Sequence, residues 1–81
     1  MSTTEIEGRL REILASVLEV PVERIPEDAS TDTIEAWDSL AHMNLILAVE
    51  DAFGVTIPDE EAADLTSIPL LRLVVSELTE A

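Results

Sequence analysis

A helix that has to begin at Asp38 constrains this chain more than any other feature. The stretch Leu40 to Phe53 is its most apolar run and follows a segment rich in turn-formers. Asp38 is a good N-cap, because its carboxylate accepts hydrogen bonds from the unpaired N–H groups of a first helical turn. Gly54 suits the left-handed position that ends a helix. The sequence therefore predicts a helix over 38–53, about 24 Å long at a rise of about 1.5 Å per residue. Ser39 falls at its first position, where the helix start carries about half a positive charge and favours a phosphate. As a nucleophile acting alone, Ser39 is poor. All four cations are arginines, so no lysine stands near it, and the single histidine is His42.

The rest of the chain reads as helix and loop. From Ser2 to Glu19, the residues Ile6, Leu10, Ile13, Leu14, Val17 and Leu18 recur with the spacing of a half-buried helix. Thr4 with Glu7 three residues on has the pattern of a capping box. Gly8 lies off the stripe, and Arg9 and Arg11 read as local charge balance on a solvated face. Between Val20 and Trp37 the periodicity fails at Pro21, Pro26, Asp28, Ser30, Thr31, Asp32 and Thr33. A structureless connection of this length is uncommon unless functional or pinned down, and Val22 and Ile25 are the expected pins. After Gly54, Val55-Thr56-Ile57 is too short to read as a strand. Pro58 and Asp59 open a short helical turn through Ala63. Thr66 or Ser67 caps a last helix, with Pro69 in its first turn and Ile68, Leu71, Val74, Val75 and Leu78 on its inner face. The expected fold is all-α: a four-helix bundle of three longer helices and one short one, with a long first loop, in a single domain over residues 1–81.

Charge narrows the function. Eighteen acids against four arginines give a net charge of −14, which opposes binding to nucleic acid through phosphates. The same charge favours basic partners met through electrostatic steering, or serves only to keep a small domain soluble and monomeric. With no cysteine, the chain has no disulfide, thiolate metal site or catalytic thiol of its own. No metal site is expected either: one histidine is too few, and Asp59-Glu60-Glu61 and Glu50-Asp51 lack the spaced oxygen ligands of a calcium loop. Residues 1–5 are polar with no long apolar run after them, and no stretch approaches the roughly 20 apolar residues of a membrane span. The cytoplasm is the default compartment.

The Asp38–Phe53 helix has apolar residues on two opposite sides. With Leu45 at zero and a turn of about 100° per residue, Leu45, Val49, Ala52 and Phe53 share one face, while Leu40, Met43 and Leu47 fall at about 160–220°. Two explanations fit: a helix buried all round at the centre of the bundle, or an apolar docking strip beside Ser39. Asn44, Glu50 and Asp51 lie around that strip, and adaptable Met suits such a surface. Trp37, just before the cap, is either a hydrophobic staple packing on His42 or a contact for a partner. His42 lies near the core side and is expected to hydrogen-bond the long loop.

Asp38-Ser39-Leu40 opening an apolar helix in a small acidic chain, with Ile57-Pro58-Asp59-Glu60-Glu61 after it, resembles the attachment motif of acyl carrier proteins. The resemblance covers nearly the whole chain. It implies a four-helix carrier fold that is not an enzyme. It further implies a 4′-phosphopantetheine group joined to Ser39 by a phosphodiester, with Asp38 and Leu40 as its flanking motif residues. The terminal thiol of that group would hold an acyl or aminoacyl cargo as a thioester. The implied partners are a phosphopantetheinyl transferase, which Asp38 helps to bind, a loading ligase or transferase, and downstream synthase enzymes. The candidate partner-facing residues are Trp37, Leu40, Met43, Asn44, Leu47, Glu50 and Asp51, and the resemblance implies that the corresponding face of this helix meets partner enzymes. Carriers of primary fatty acid synthesis usually have a small residue before the Asp and more acids along this helix, where Trp37, Ala41 and Asn44 stand here. The Gly-Gly typical of peptidyl carriers is absent. A discrete carrier of a specialised pathway fits these departures best. The competing class is a small acidic helical adaptor without a prosthetic group.

Self-repulsion at −14 weakens the compact state, and salt screens it. The melting temperature is expected to rise between low and moderate ionic strength. Thermal melts across a salt series check this, and a flat response would mean that the acids are already balanced locally.

Overall fold

In the computed structural model, which describes residues 2–79, the first helix is the hub. Helix α1 (Thr3–Leu18) buries Ile6, Leu10, Leu14 and Leu18 along one stripe, with Ile13 and Val17 packed partly behind them. Its cap is Ser2, whose hydroxyl accepts from the Glu5 N–H at 3.2 Å. The expected Thr4–Glu7 box is therefore not the cap. Ser2, Thr3 and Thr4 all offer a hydroxyl, and the one that stays extended, Ser2, takes the role. At the other end Glu19 turns left-handed at φ 55, and the Val20 N–H reaches back to the Ala15 carbonyl at 3.1 Å.

Helices α2 (Ser39–Phe53) and α4 (Ile68–Thr79) both pack principally on α1. Helix α2 contributes Leu45, Ile46 and Val49 to the core, and α4 contributes Ile68, Leu71 and Val75. The short α3 (Asp59–Ala62) lies between them in the chain. Three arginines fasten these elements to α1. Arg72 of α4 donates to Glu7 at 2.9 Å, the one ion pair among the described residues. Arg9 donates to the Ala52 carbonyl at 3.0 Å and lies 4.8 Å above the Phe53 ring. Arg11 donates to the Ile25 and Val22 carbonyls at 2.8 and 3.3 Å. Arg9 is exposed as expected and Arg11 half-buried, but both bond backbone carbonyls and tie other elements to α1, a correction to the charge-balance role expected of them. Guanidinium groups answer backbone carbonyls that the ends of α2 and the loop leave without a partner.

The long loop after α1 is wound inward. Ile25 is fully buried, as expected, whereas Val22 is only half-buried in a 3-10 turn over Val22–Arg24. Ala29, Ile34 and Trp37 do the rest of the pinning. A single antiparallel bridge joins Ser30 to Ser67, with the Thr31 N–H on the Thr66 carbonyl and the Ile68 N–H on the Ala29 carbonyl, each at 2.9 Å. Ser67 caps α4, accepting from the Leu70 N–H at 3.4 Å. Leu78, expected on the inner face of α4, is 42% exposed. Its angle around the helix is right, but it stands in the last turn, at the margin of the core. Among the described residues there is no strand, and no helix is long and apolar enough to cross a membrane.

The two glycines make opposite demands. A Cβ at Gly8 meets nothing within 4 Å in an exposed helical turn, whereas Gly54 sits at φ 65. Gly8→Ala is expected to stabilise by about 0.5–1 kcal/mol and Gly54→Ala to destabilise by about 1–2 kcal/mol. Urea denaturation of the two variants beside the parent chain measures both signs.

Candidate functional site

The site is built where the loop hands over to α2. Asp38 keeps an extended backbone, with φ −94 and ψ −174, and its Oδ1 accepts from the Ala41 N–H at 2.9 Å. Its carbonyl takes the His42 N–H at 2.8 Å. The N–H groups of Ser39 and Leu40 precede the first intrahelical bond and stay available to an anion. Ser39 is the first residue of α2 and is exposed, with its hydroxyl at this positive end.

Beneath Ser39 lies a polar pair. Trp37 is 2% exposed, and its Nε1–H donates to His42 Nδ1 at 3.0 Å. Because Nδ1 accepts, the ring's proton is on Nε2, which donates to the Ala62 carbonyl at 2.7 Å. Both ring nitrogens of the only histidine are thus occupied, and Asp38 Oδ1 holds the cap. The imidazole is therefore not free to act on Ser39, whose side chain stands exposed at the helix start. His42 bonds the segment of α3 and Trp37 at the loop's end, which meets the expectation of a loop contact by a more distant route. Trp37 leaves the partner-facing set: at 2% exposure it offers a docking protein almost no surface, and it packs as a staple onto His42.

Two concave surfaces lie along this part of α2, and Ser39 lines one of them. A cleft of about 480 Å³ is bounded by Thr31, Trp37, Asp38, Ser39, Ala63 and Thr66, with His42 at its back. A second, more apolar groove of about 400 Å³ runs between α2 and α3 past Met43, Ile46, Leu47 and Ala62. His42 and Ala63 belong to both walls. Among the described residues, no three His, Cys, Asp or Glu side chains gather as a metal site.

The outer face of α2 is open. Leu40, Met43 and Leu47 are 69%, 66% and 64% exposed, while Leu45 and Val49 are fully buried. A helix buried all round is thereby excluded. Asn44 and Asp51 are exposed beside the strip. Glu50 is half-buried, and its Oε2 accepts from the Ile57 N–H at 2.7 Å. A carboxylate held by the following loop is a structural clasp first, which corrects its place as a plain rim acid. No spacing rule would have found that contact, since it depends on where the chain after Gly54 returns. Leu70 and Leu73 on α4 are a second pair of exposed apolar residues, 41% and 56%, that the sequence reading did not single out.

A family model described as "Phosphopantetheine attachment site" matches residues 8–72. The match runs from the second turn of α1 into α4 and contains all of α2, with Ser39 at its start.

Because the strip is exposed, Leu47→Gln is expected to change stability by no more than about 0.5 kcal/mol, as at ordinary surface positions. Leu45→Ala opens a cavity in the core and is expected to cost about 2–5 kcal/mol. Denaturant melts of the two variants side by side check the difference.

Proposed function

This chain belongs to the phosphopantetheine attachment-site family, and from that premise we propose that Ser39 is the residue that bears its 4′-phosphopantetheine. Domains of this family are carriers and do not catalyse a reaction themselves. The observation that carries the assignment is an exposed serine at the first position of α2, inside the matched span. The residues fit the group. Its phosphodiester would sit at the positive helix end, against the N–H groups of Ser39 and Leu40. When bound, the arm supplies the terminal thiol that a chain without cysteine lacks, and a cargo is held there as a thioester.

The chain's own residues present the hydroxyl and leave its activation to the partner. His42 is bonded at both nitrogens, so the serine proton must go to a base on the phosphopantetheinyl transferase. Asp38, exposed beside Ser39, offers that enzyme a carboxylate next to the reacting oxygen, with Oδ1 already fixed by the cap. Leu40, Met43 and Leu47, with Asn44 and Asp51 beside them, form the surface on which the transferase, a loading ligase and downstream synthases dock. The acidic rim steers basic partners to it. The cargo is an acyl or aminoacyl unit of a specialised biosynthetic pathway, and the carrier works as a monomer in the cytoplasm.

Incubation with coenzyme A and a broad-specificity phosphopantetheinyl transferase is expected to add one phosphopantetheinyl mass to the intact protein. Ser39→Ala is expected to abolish that gain with the helical circular dichroism unchanged. A proteolytic fragment carrying the group on Ser16, Ser30 or Ser67 would sink the assignment.

A further inference from the structure

Helix α3 is four residues long, exposes Asp59, Glu60 and Glu61, and buries only Ala62. A helix this short has little hydrogen bonding of its own to hold it. Its apolar anchors, Ile57 and Leu65, lie outside it on either side. Ala62 alone joins α3 itself to the core shared with Leu45, Ile46 and Val49 of α2, while the principal helix contacts join α1 to α2 and to α4, so packing holds α3 to α2 at a single small side chain. Two side-chain contacts from α2 add to it, one to α3 and one to the residue just before its cap. His42 Nε2–H meets the Ala62 carbonyl at 2.7 Å, and Glu50 Oε2 accepts the Ile57 N–H at 2.7 Å. The groove of about 400 Å³ between α2 and α3 is lined by both of these residues, with Met43, Ile46 and Leu47 between them on the α2 wall.

We infer that His42 and Glu50 are positioning residues, a pair of latches that hold the α3 segment across this groove and so set its width, one helical turn along α2 from Ser39. His42 is the better placed of the two. Its other nitrogen is anchored to Trp37, a core residue two positions before Ser39, at 3.0 Å, so the ring is braced on a buried side chain and reaches toward the short helix. A side-chain bond to a backbone carbonyl or N–H restrains a short segment without filling the groove, whereas apolar packing would close it. The inference rests on the geometry of α2 and α3 and stands whether or not Ser39 is loaded. For a carrier, it names the groups that shape the apolar surface next to the attachment point.

The test uses the full chain and amide exchange followed by NMR. His42→Asn keeps an oxygen for the Trp37 indole but is too short for Ala62, whereas His42→Gln keeps an N–H within reach of Ala62. Glu50→Ala removes the acceptor for Ile57, and Glu50→Gln retains one. The reporters are the Ala62, Ala63, Asp64 and Leu65 amides, bonded within this segment to the Pro58, Asp59, Glu61 and Ala62 carbonyls. His42→Asn and Glu50→Ala are expected to speed their exchange about tenfold, with the Leu10 and Leu14 amides of α1 unchanged. The two Gln variants are expected to stay near the parent rates. Three results would overturn the inference: unchanged rates in the short variants, equal acceleration in α1 and α3, or Gln variants that behave like the short ones. Running the exchange before and after incubation with coenzyme A and transferase separates the two readings. A protein that takes up no arm but shows the expected exchange pattern contradicts the assignment of Ser39 and leaves the latches standing.

Discussion

The whole arrangement depends on one buried stripe. Ile6, Leu10, Leu14 and Leu18 give α1 a continuous apolar edge against which both α2 and α4 pack, each such side chain contributing about 1.5–3 kcal/mol on burial. Because a single helix serves both neighbours, α2 has to offer the core only Leu45, Ile46 and Val49. Its opposite side meets no other element among the described residues, and that is why Leu40, Met43 and Leu47 remain in solvent. Arg9 reinforces the asymmetry along the helix axis. It ties the Ala52 carbonyl and the Phe53 ring to α1, so the C-terminal end of α2 is fastened while its N-terminal end is left for chemistry.

That N-terminal end is delivered by a loop which only looks irregular. Ile25, Ala29, Ile34 and Trp37 drop into the core in succession, and the Ser30–Ser67 bridge clamps the middle of the loop to the start of α4. Backbone groups that no helix satisfies are answered locally: Ser30 N–H by Thr33 Oγ1, Ile34 N–H by the Ser30 carbonyl, Trp37 N–H by the Ile34 carbonyl. By the time the chain reaches Asp38 its direction is fixed, and the cap places Ser39 outward without strain.

The periodic parts of this design were legible in the sequence, and so were the cap and the glycine that bound α2. A repeat near 3.6 residues states which side of a helix is buried, and Asp38 and Gly54 mark ends by local chemistry alone. What stayed hidden depends on contacts between distant segments. Arg9 looked solvated because nothing near it in sequence needs a donor, and its acceptor is 43 residues away. Trp37 and His42 were close enough in sequence to be read as a pair, but the Ala62 carbonyl that fixes the tautomer is 20 residues on. Glu50 looked like one more surface acid until the backbone of Ile57 returned to it. At the site itself the same division holds. Ser39, Asp38 and the exposed strip followed from spacing, whereas the buried place of Trp37 required the fold.

Charge and exposure on α2 have to be considered together. An apolar strip of Leu40, Met43 and Leu47 on a small domain invites self-association. Two copies meeting through this face, however, would bring together two chains of net charge −14, with Asp51 exposed beside the strip and Asp59, Glu60 and Glu61 exposed on α3. That net charge already counts all four arginines, of which Arg72 pairs with Glu7. Like-charge repulsion therefore opposes the copy–copy contact, and the same field attracts a partner that surrounds an apolar pocket with basic groups. The charge around the strip thus favours a cover rimmed with basic groups over a second copy of the chain.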